Sequence, residues 1–107
     1  MADVYAGDDA LNAPRPETPE HRLVTFYLST DAQPDVLPRV ASQLYIFHSA
    51  PERVSLQRSS DDTSEIEIVI LGASRQQIDS ACRKFLQLTC VSRVEALTAD
   101  SAQLFTG

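Results

Sequence analysis

Hydrophobic and polar positions divide the chain into six segments. Over residues 22–29, "RLVTFYLS", Val24, Phe26 and Leu28 share one face and Leu23, Thr25, Tyr27 and Ser29 the other, which is the period of a β-strand. Both faces are fairly apolar, as in a strand flanked on both sides. From Asp35 the period changes. Val36, Leu37, Val40, Ala41, Leu44 and Phe47 recur at intervals of three and four and form one helical stripe. Asp35 stands where an N-cap would, able to accept a bond from the N–H two or three residues on. Pro38 falls in the first turn, where a missing N–H removes no intrahelical bond. Pro51 sets the far limit, because the residue before a proline is pushed out of helical geometry.

Residues 53–59, "RVSLQRS", make a shorter and more polar strand. The cluster "SDDTS" at 60–64 reads as a hairpin turn. "EIEIVILG" (65–72) places Ile66, Ile68 and Ile70 on one face against Glu65 and Glu67, then turns apolar on both faces. Ser74, with Gln77 three positions on, forms an S-x-x-Q capping box. Ile78, Ala81, Cys82, Phe85 and Leu86 continue at helical spacing, and "CVSRVEAL" (90–97) ends the series as a mixed strand.

The order β-α-β-β-α-β predicts an α+β domain of the ferredoxin-like kind, with a four-stranded antiparallel sheet and two helices on one face. In that topology the first and third strands are central. They are also the two most apolar, while Arg53, Gln57, Arg58 and Arg93 mark the edges. The expected domain spans residues 21–98. Residues 1–20, "MADVYAGDDALNAPRPETPE", show no sustained period and are expected to form a disordered acidic arm. Residues 99–107 are expected to be a flexible C-terminal tail, in which Leu104 and Phe105 could dock.

With 107 residues, 43% of them hydrophobic, the chain suits one core. Nine bases stand against fifteen acids. Five of those acids (Asp3, Asp8, Asp9, Glu17 and Glu20) lie in the arm with only Arg15 opposing them, so the folded part is close to neutral. A nucleic-acid partner is not expected, since no positive patch is available to displace counterions from phosphates. The absence of a long apolar run or a signal-type N-terminus points to no membrane contact and a cytoplasmic location.

The residues offer little for catalysis. No glycine-rich loop occupies a strand-to-helix turn, so no nucleotide cofactor is implied. Cys82 and Cys90 are too few and too plainly spaced for a metal cluster, and His21 and His48 lack neighbours at ligand spacing. No catalytic residue, metal or cofactor is therefore assigned. The expected open face of the sheet carries Leu23, Tyr27, Val69 and Leu71, an apolar patch that reads as a contact surface for a homodimer or a larger subunit. RNA stacking on Tyr27 is disfavoured by Glu65 and Glu67 beside it.

Residues 24–97 resemble an ACT domain, and are most similar to that of the regulatory small subunit of acetolactate synthase. The resemblance rests on "VLPRV" (36–40), Phe47 near the helix end, "VSL" (54–56) and "LQLTCVSRVEAL" (86–97). It implies a ligand-sensing module that pairs through sheets or helices and binds amino acids at the interface. A small subunit would bind a thiamine-diphosphate-dependent catalytic subunit, raise its activity and transmit feedback by branched-chain amino acids. The same resemblance places an effector at the opening loop, on Ala32, Gln33, Asp35, Val36 and Leu37. Family members that sense an amino acid carry an asparagine early in this loop and a glycine just before the aliphatic pair. Ala32 and Asp35 stand in those positions here, which argues against conventional effector binding. Two other readings remain: a free-standing amino-acid sensor, and a small enzyme using His48 or His21 as general base.

Overall fold

The computed structural model describes residues 23–100 and 102–107. The proposed arm and His21 lie outside the described residues. Within them the elements are β1 (Leu23–Asp31), α1 (Val36–Ala41), a 3-10 turn (Leu44–Ile46), β2 (Arg53–Arg58), β3 (Thr63–Leu71), α2 (Arg75–Gln87), β4 (Val91–Thr98) and β5 (Gln103–Thr106). The sheet order is β2-β3-β1-β4-β5, and every neighbouring pair is antiparallel. As expected, β1 and β3 are internal and adjacent.

The four-strand expectation is corrected by β5. Residues 103–106, expected to belong to a flexible tail, pair with β4. The chain reverses at Thr98, whose amide donates to the Ala102 carbonyl at 2.9 Å while its hydroxyl accepts from the Ala102 amide at 3.0 Å. The ladder then runs on to Gly107, which exchanges two backbone bonds with Val94. Leu104 and Phe105 pack against the edge of the core. Four residues are too few to show a period, which is why the pattern alone missed the strand.

Strand alternation builds the core. Val24, Phe26 and Leu28 of β1 and Ile66, Ile68 and Ile70 of β3 are all buried on the helix-covered side. Ile78, Ala81, Cys82 and Phe85 cover them from α2. Phe26 lies at the centre, edge-on to Phe85 with centroids 6.0 Å apart and tilted against Phe47 at 5.6 Å.

The two helices begin differently. Ser74 forms the full capping box: its Oγ accepts from the Gln77 amide at 3.1 Å, and the Gln77 side chain accepts from the Ser74 amide at 2.8 Å. Asp35 does hold the N-cap position, with the helix starting at Val36, but its side chain makes no such bond, which corrects the expected capping interaction. Its backbone, at φ −90° and ψ 3°, is outside the extended region a capping residue adopts, and Pro38 removes the third-position donor. The Asp35 carboxylate instead pairs with Arg39 Nε at 3.0 Å. Ser74→Ala is therefore expected to cost about 1 kcal/mol. Asp35→Ala, which loses only an exposed ion pair, should cost under about 0.5 kcal/mol. Urea denaturation of the two variants checks this, and equal losses would restore Asp35 as a cap.

The first helix is also shorter than expected. After six residues Ser42 turns its hydroxyl back onto the Arg39 carbonyl at 2.7 Å, and the Gln43 amide bonds three residues back rather than four. Such local bonding competes with helix propagation. Val36 and Val40 still reach the core, whereas Leu37 and Ala41 are exposed.

Candidate contact face and opening loop

The five loop positions that the resemblance singles out lie along one connection, between β1 and α1. Gln33, Asp35 and Leu37 are exposed, Ala32 is half-buried and Val36 is fully buried. Three amides here are already engaged: Asp31 N–H donates to Cys90 O, Ala32 N–H to Asp62 O, and Val36 N–H to Gln33 O, at 2.9 to 3.2 Å. Donors bonded inside the chain are not offered to an effector carboxylate. α1, at six residues, adds little helix dipole.

The four predicted contact residues do come together. Leu23 lies directly across from Leu71, and Thr25 across from Val69, with Tyr27 next along β1. All four side chains share the face of the sheet opposite the helices, and Leu23, Tyr27 and Leu71 remain about two-fifths exposed. Sequence reasoning missed Leu97, which lies across Thr25 from Val69 and extends the apolar patch onto β4. The spacing Arg93, Glu95, Leu97 carried that signal, since alternate residues of a strand share a face.

The face changes character along the strands. Beyond Tyr27 a shallow cleft of ≈140 Å³ is lined by Tyr27, Ser29, Glu65, Arg93 and Glu95. Ser29 Oγ donates to Glu65 at 3.4 Å, and Gln103 Nε2 donates to Glu95 at 2.8 Å. Arg93 has no ion-pair partner among the described residues. At the opposite corner Arg53 bonds Glu67 at 3.0 Å. An apolar end beside an open guanidinium and solvated carboxylates suits the mixed surface of a protein partner.

Nucleophilic chemistry finds no support in the described residues. Burial, and then the Asp79 carboxylate, push the Cys82 thiol up from its ordinary 9.0 to about 12. The thiol is therefore protonated at neutral pH and a poor nucleophile. The folded state keeps a proton that the unfolded chain releases above pH 9, so this contribution to stability is complete below pH 9 and falls as pH rises towards 12. Denaturation midpoints measured through that interval should fall, and the Cys82→Ser variant should show a weaker fall. His48 is exposed after the 3-10 turn. No group of His, Cys, Asp and Glu able to hold a metal ion occurs among the described residues, and no described helix is long and apolar enough to cross a membrane.

No protein-family model matches the sequence, and no curated protein does. Solved structures do share the fold. The ACT domain from GTP pyrophosphokinase of Chlorobium tepidum aligns with a TM-score of 0.60 at 13% identity, covering 70% of this chain and 96% of that one. The C-terminal domain of the MgtC protein from Mycobacterium tuberculosis aligns with a TM-score of 0.61 at 10% identity, covering 82% and 98%. At such identities the likeness is one of fold: the chain has an ACT-like fold.

Proposed function

We propose that the protein is a non-catalytic regulatory module that acts through protein contact, as a small-subunit-like regulator of an acetolactate synthase or a related enzyme of amino-acid metabolism. The observation that carries this reading is the open sheet face, with Leu23, Val69, Leu71 and Leu97 gathered at one end and Arg93, which has no ion-pair partner among the described residues, at the other. Apolar residues grouped on an uncovered face mark an interaction surface more often than a solvated one. The choice of a thiamine-diphosphate-dependent catalytic subunit as partner rests on the resemblance of residues 24–97. A cytoplasmic location goes with that partner.

An amino-acid effector is not part of this reading. The opening-loop amides at residues 31, 32 and 36 are bonded to carbonyls of the same chain, and Asp35 adds a carboxylate beside them. The test is to mix the purified chain with the acetolactate synthase catalytic subunit of the same genome. Co-elution and a raised turnover are expected. Failure of both would retire the proposal, and calorimetric binding of a branched-chain amino acid to the chain alone would shift the reading to a free-standing sensor.

A further inference from the structure

The N-terminal segment and the open face are complementary. Residues 1–22 lie outside the described residues, and they join the domain at Leu23, the corner of the apolar patch. Among the described residues nothing covers that face, since all five strands lie in one sheet and both helices pack behind it. The other exposed apolar pair, Val54 and Leu56, is on the helix side of β2, across from Ile68 and Ile66, and is not part of it.

The sequence just before Leu23 restricts its own backbone. In "APRPETP" (13–19), Pro14, Pro16 and Pro19 have φ fixed by their rings, and Ala13, Arg15 and Thr18 each precede a proline, which pushes them to extended geometry. Only Glu17 escapes both restrictions. Such a segment favours the polyproline II helix, and docking it removes little conformational freedom. Three residues per turn sort the side chains onto three edges. Ala13, Pro16 and Pro19 make an apolar edge, Glu17 and Glu20 an acidic one, and Arg15 and Thr18 a polar one.

The spacing of these edges matches the face. Residues 20–22 suffice to reverse the chain, which sets Pro19 over Leu23 and Leu71 and sends the segment back along β1. The rise is about 3.1 Å per residue in this helix and about 3.4 Å in a strand. Glu17 then falls about 6 Å along, level with Thr25, and Arg15 about 12 Å along, level with Tyr27. At those levels the face carries Arg53, across Val69 from Thr25, and Glu95, across from Tyr27. The sides agree as well. Strands β1 and β2 are parallel, and a strand-helix-strand connection of that kind is right-handed. Seen from the open side with β1 pointing up, β3 and β2 are on its left and β4 on its right. A left-handed helix running down β1 with its apolar edge on the sheet turns Glu17 to the left and Arg15 to the right. Glu17 thus meets Arg53, and Arg15 meets Glu95. Arg53 donates to Glu67 through one of the five N–H groups of a guanidinium. Glu95 accepts from Gln103 on Oε2, which leaves Oε1 for Arg15.

We propose that residues 13–19 dock on the open face of their own chain as a polyproline II segment, with Pro16 and Pro19 on the apolar patch, Glu17 on Arg53 and Arg15 on Glu95. The segment then covers the surface assigned above to a partner protein, which must displace it. That consequence rests on the reading of the face as a contact surface. The docking itself is tested on the chain alone, so the two fail separately.

A nitroxide label on Asn12→Cys in the full chain reads the docking, because Cys82 and Cys90 are buried and do not compete for the label. In this register Asn12 stands about 22 Å from Pro19, level with Ser29. Paramagnetic broadening should therefore fall on the Ser29 and Arg93 amides and spare Arg83, exposed on α2 behind the sheet. Adding Arg15→Glu should reduce the broadening about threefold, the scale of an exposed ion pair, and Arg15→Glu together with Glu95→Arg should recover it. Equal broadening at Ser29 and Arg83, or no response to Arg15→Glu, would overturn the proposal. So would broadening of an isotope-labelled chain by a separate nitroxide-carrying chain, which would assign the face to a second copy.

Discussion

Phe26→Ala is expected to remove about 3–5 kcal/mol of stability, the usual cost of deleting a large aromatic side chain from a closed core. Phe26 has no exposed surface, and its ring contacts Phe47 from the end of the first helical segment and Phe85 from α2. It therefore ties the internal strand to both parts of the helical layer. Its cross-strand neighbour on β4 is the small residue Ala96, so filling the gap would require Phe47 or Phe85 to leave its own packed position. For a domain whose whole stability is about 5–15 kcal/mol, the variant should unfold at a much lower urea concentration. A loss below about 2 kcal/mol would mean that the core closes around the vacancy.

Truncation after Ala102 has the second largest expected effect. It removes β5, the two backbone bonds between Gly107 and Val94, and the packing of Leu104 and Phe105. Gly107 is also close-fitting, since a Cβ there would come within 2.8 Å of Leu86 and 2.9 Å of Phe105. Half-burial of the two apolar side chains contributes about 2–3 kcal/mol by transfer area, and the truncation should lose that amount. Hydrogen exchange at the Val94 amide should also accelerate. A truncated chain with unchanged stability would show that these residues behave as the tail expected from sequence.

The contrast between β3 and β5 shows what the sequence could convey. Ile66, Ile68 and Ile70 alternate over a strand of nine residues, long enough for the period of two to stand out. Gln103–Thr106 offers only Leu104 and Phe105, which are adjacent and carry no period. The capping box at Ser74 was legible because it depends on residue type at fixed spacing. The failure of Asp35 to cap was not, because it depends on a backbone conformation and on the donor that Pro38 lacks. The length of α1 escaped for a similar reason: the apolar stripe continues to Phe47, while Ser42 diverts the hydrogen bonding locally.

The contact surfaces follow the same division. Alternation along β1 and β3 was enough to place Leu23, Tyr27, Val69 and Leu71 on one face. Leu97 joins them only through the cross-strand register of β4. The exposure of Val54 and Leu56 was hidden altogether, because their alternation is that of a buried strand face. At the turn, Ser60 rather than the aspartates organises the backbone, accepting from the Asp62 and Thr63 amides at 3.2 and 3.1 Å. Asp61 and Asp62 had pointed to a turn for a chemical reason that a neighbouring serine fulfils.

The central claim is that the open sheet face, and not a catalytic or effector site, makes the functional contact. The most direct measurement is co-elution with the proposed partner, an acetolactate synthase catalytic subunit, on size exclusion, comparing wild type, Leu71→Lys, Leu23→Lys and the control Tyr45→Lys. Tyr45 is 70% exposed and lies in the 3-10 turn, away from the open face. Loss of co-elution in Leu71→Lys and Leu23→Lys, with wild-type behaviour in Tyr45→Lys, is the predicted result. Complex formation unchanged by both leucine substitutions would contradict it.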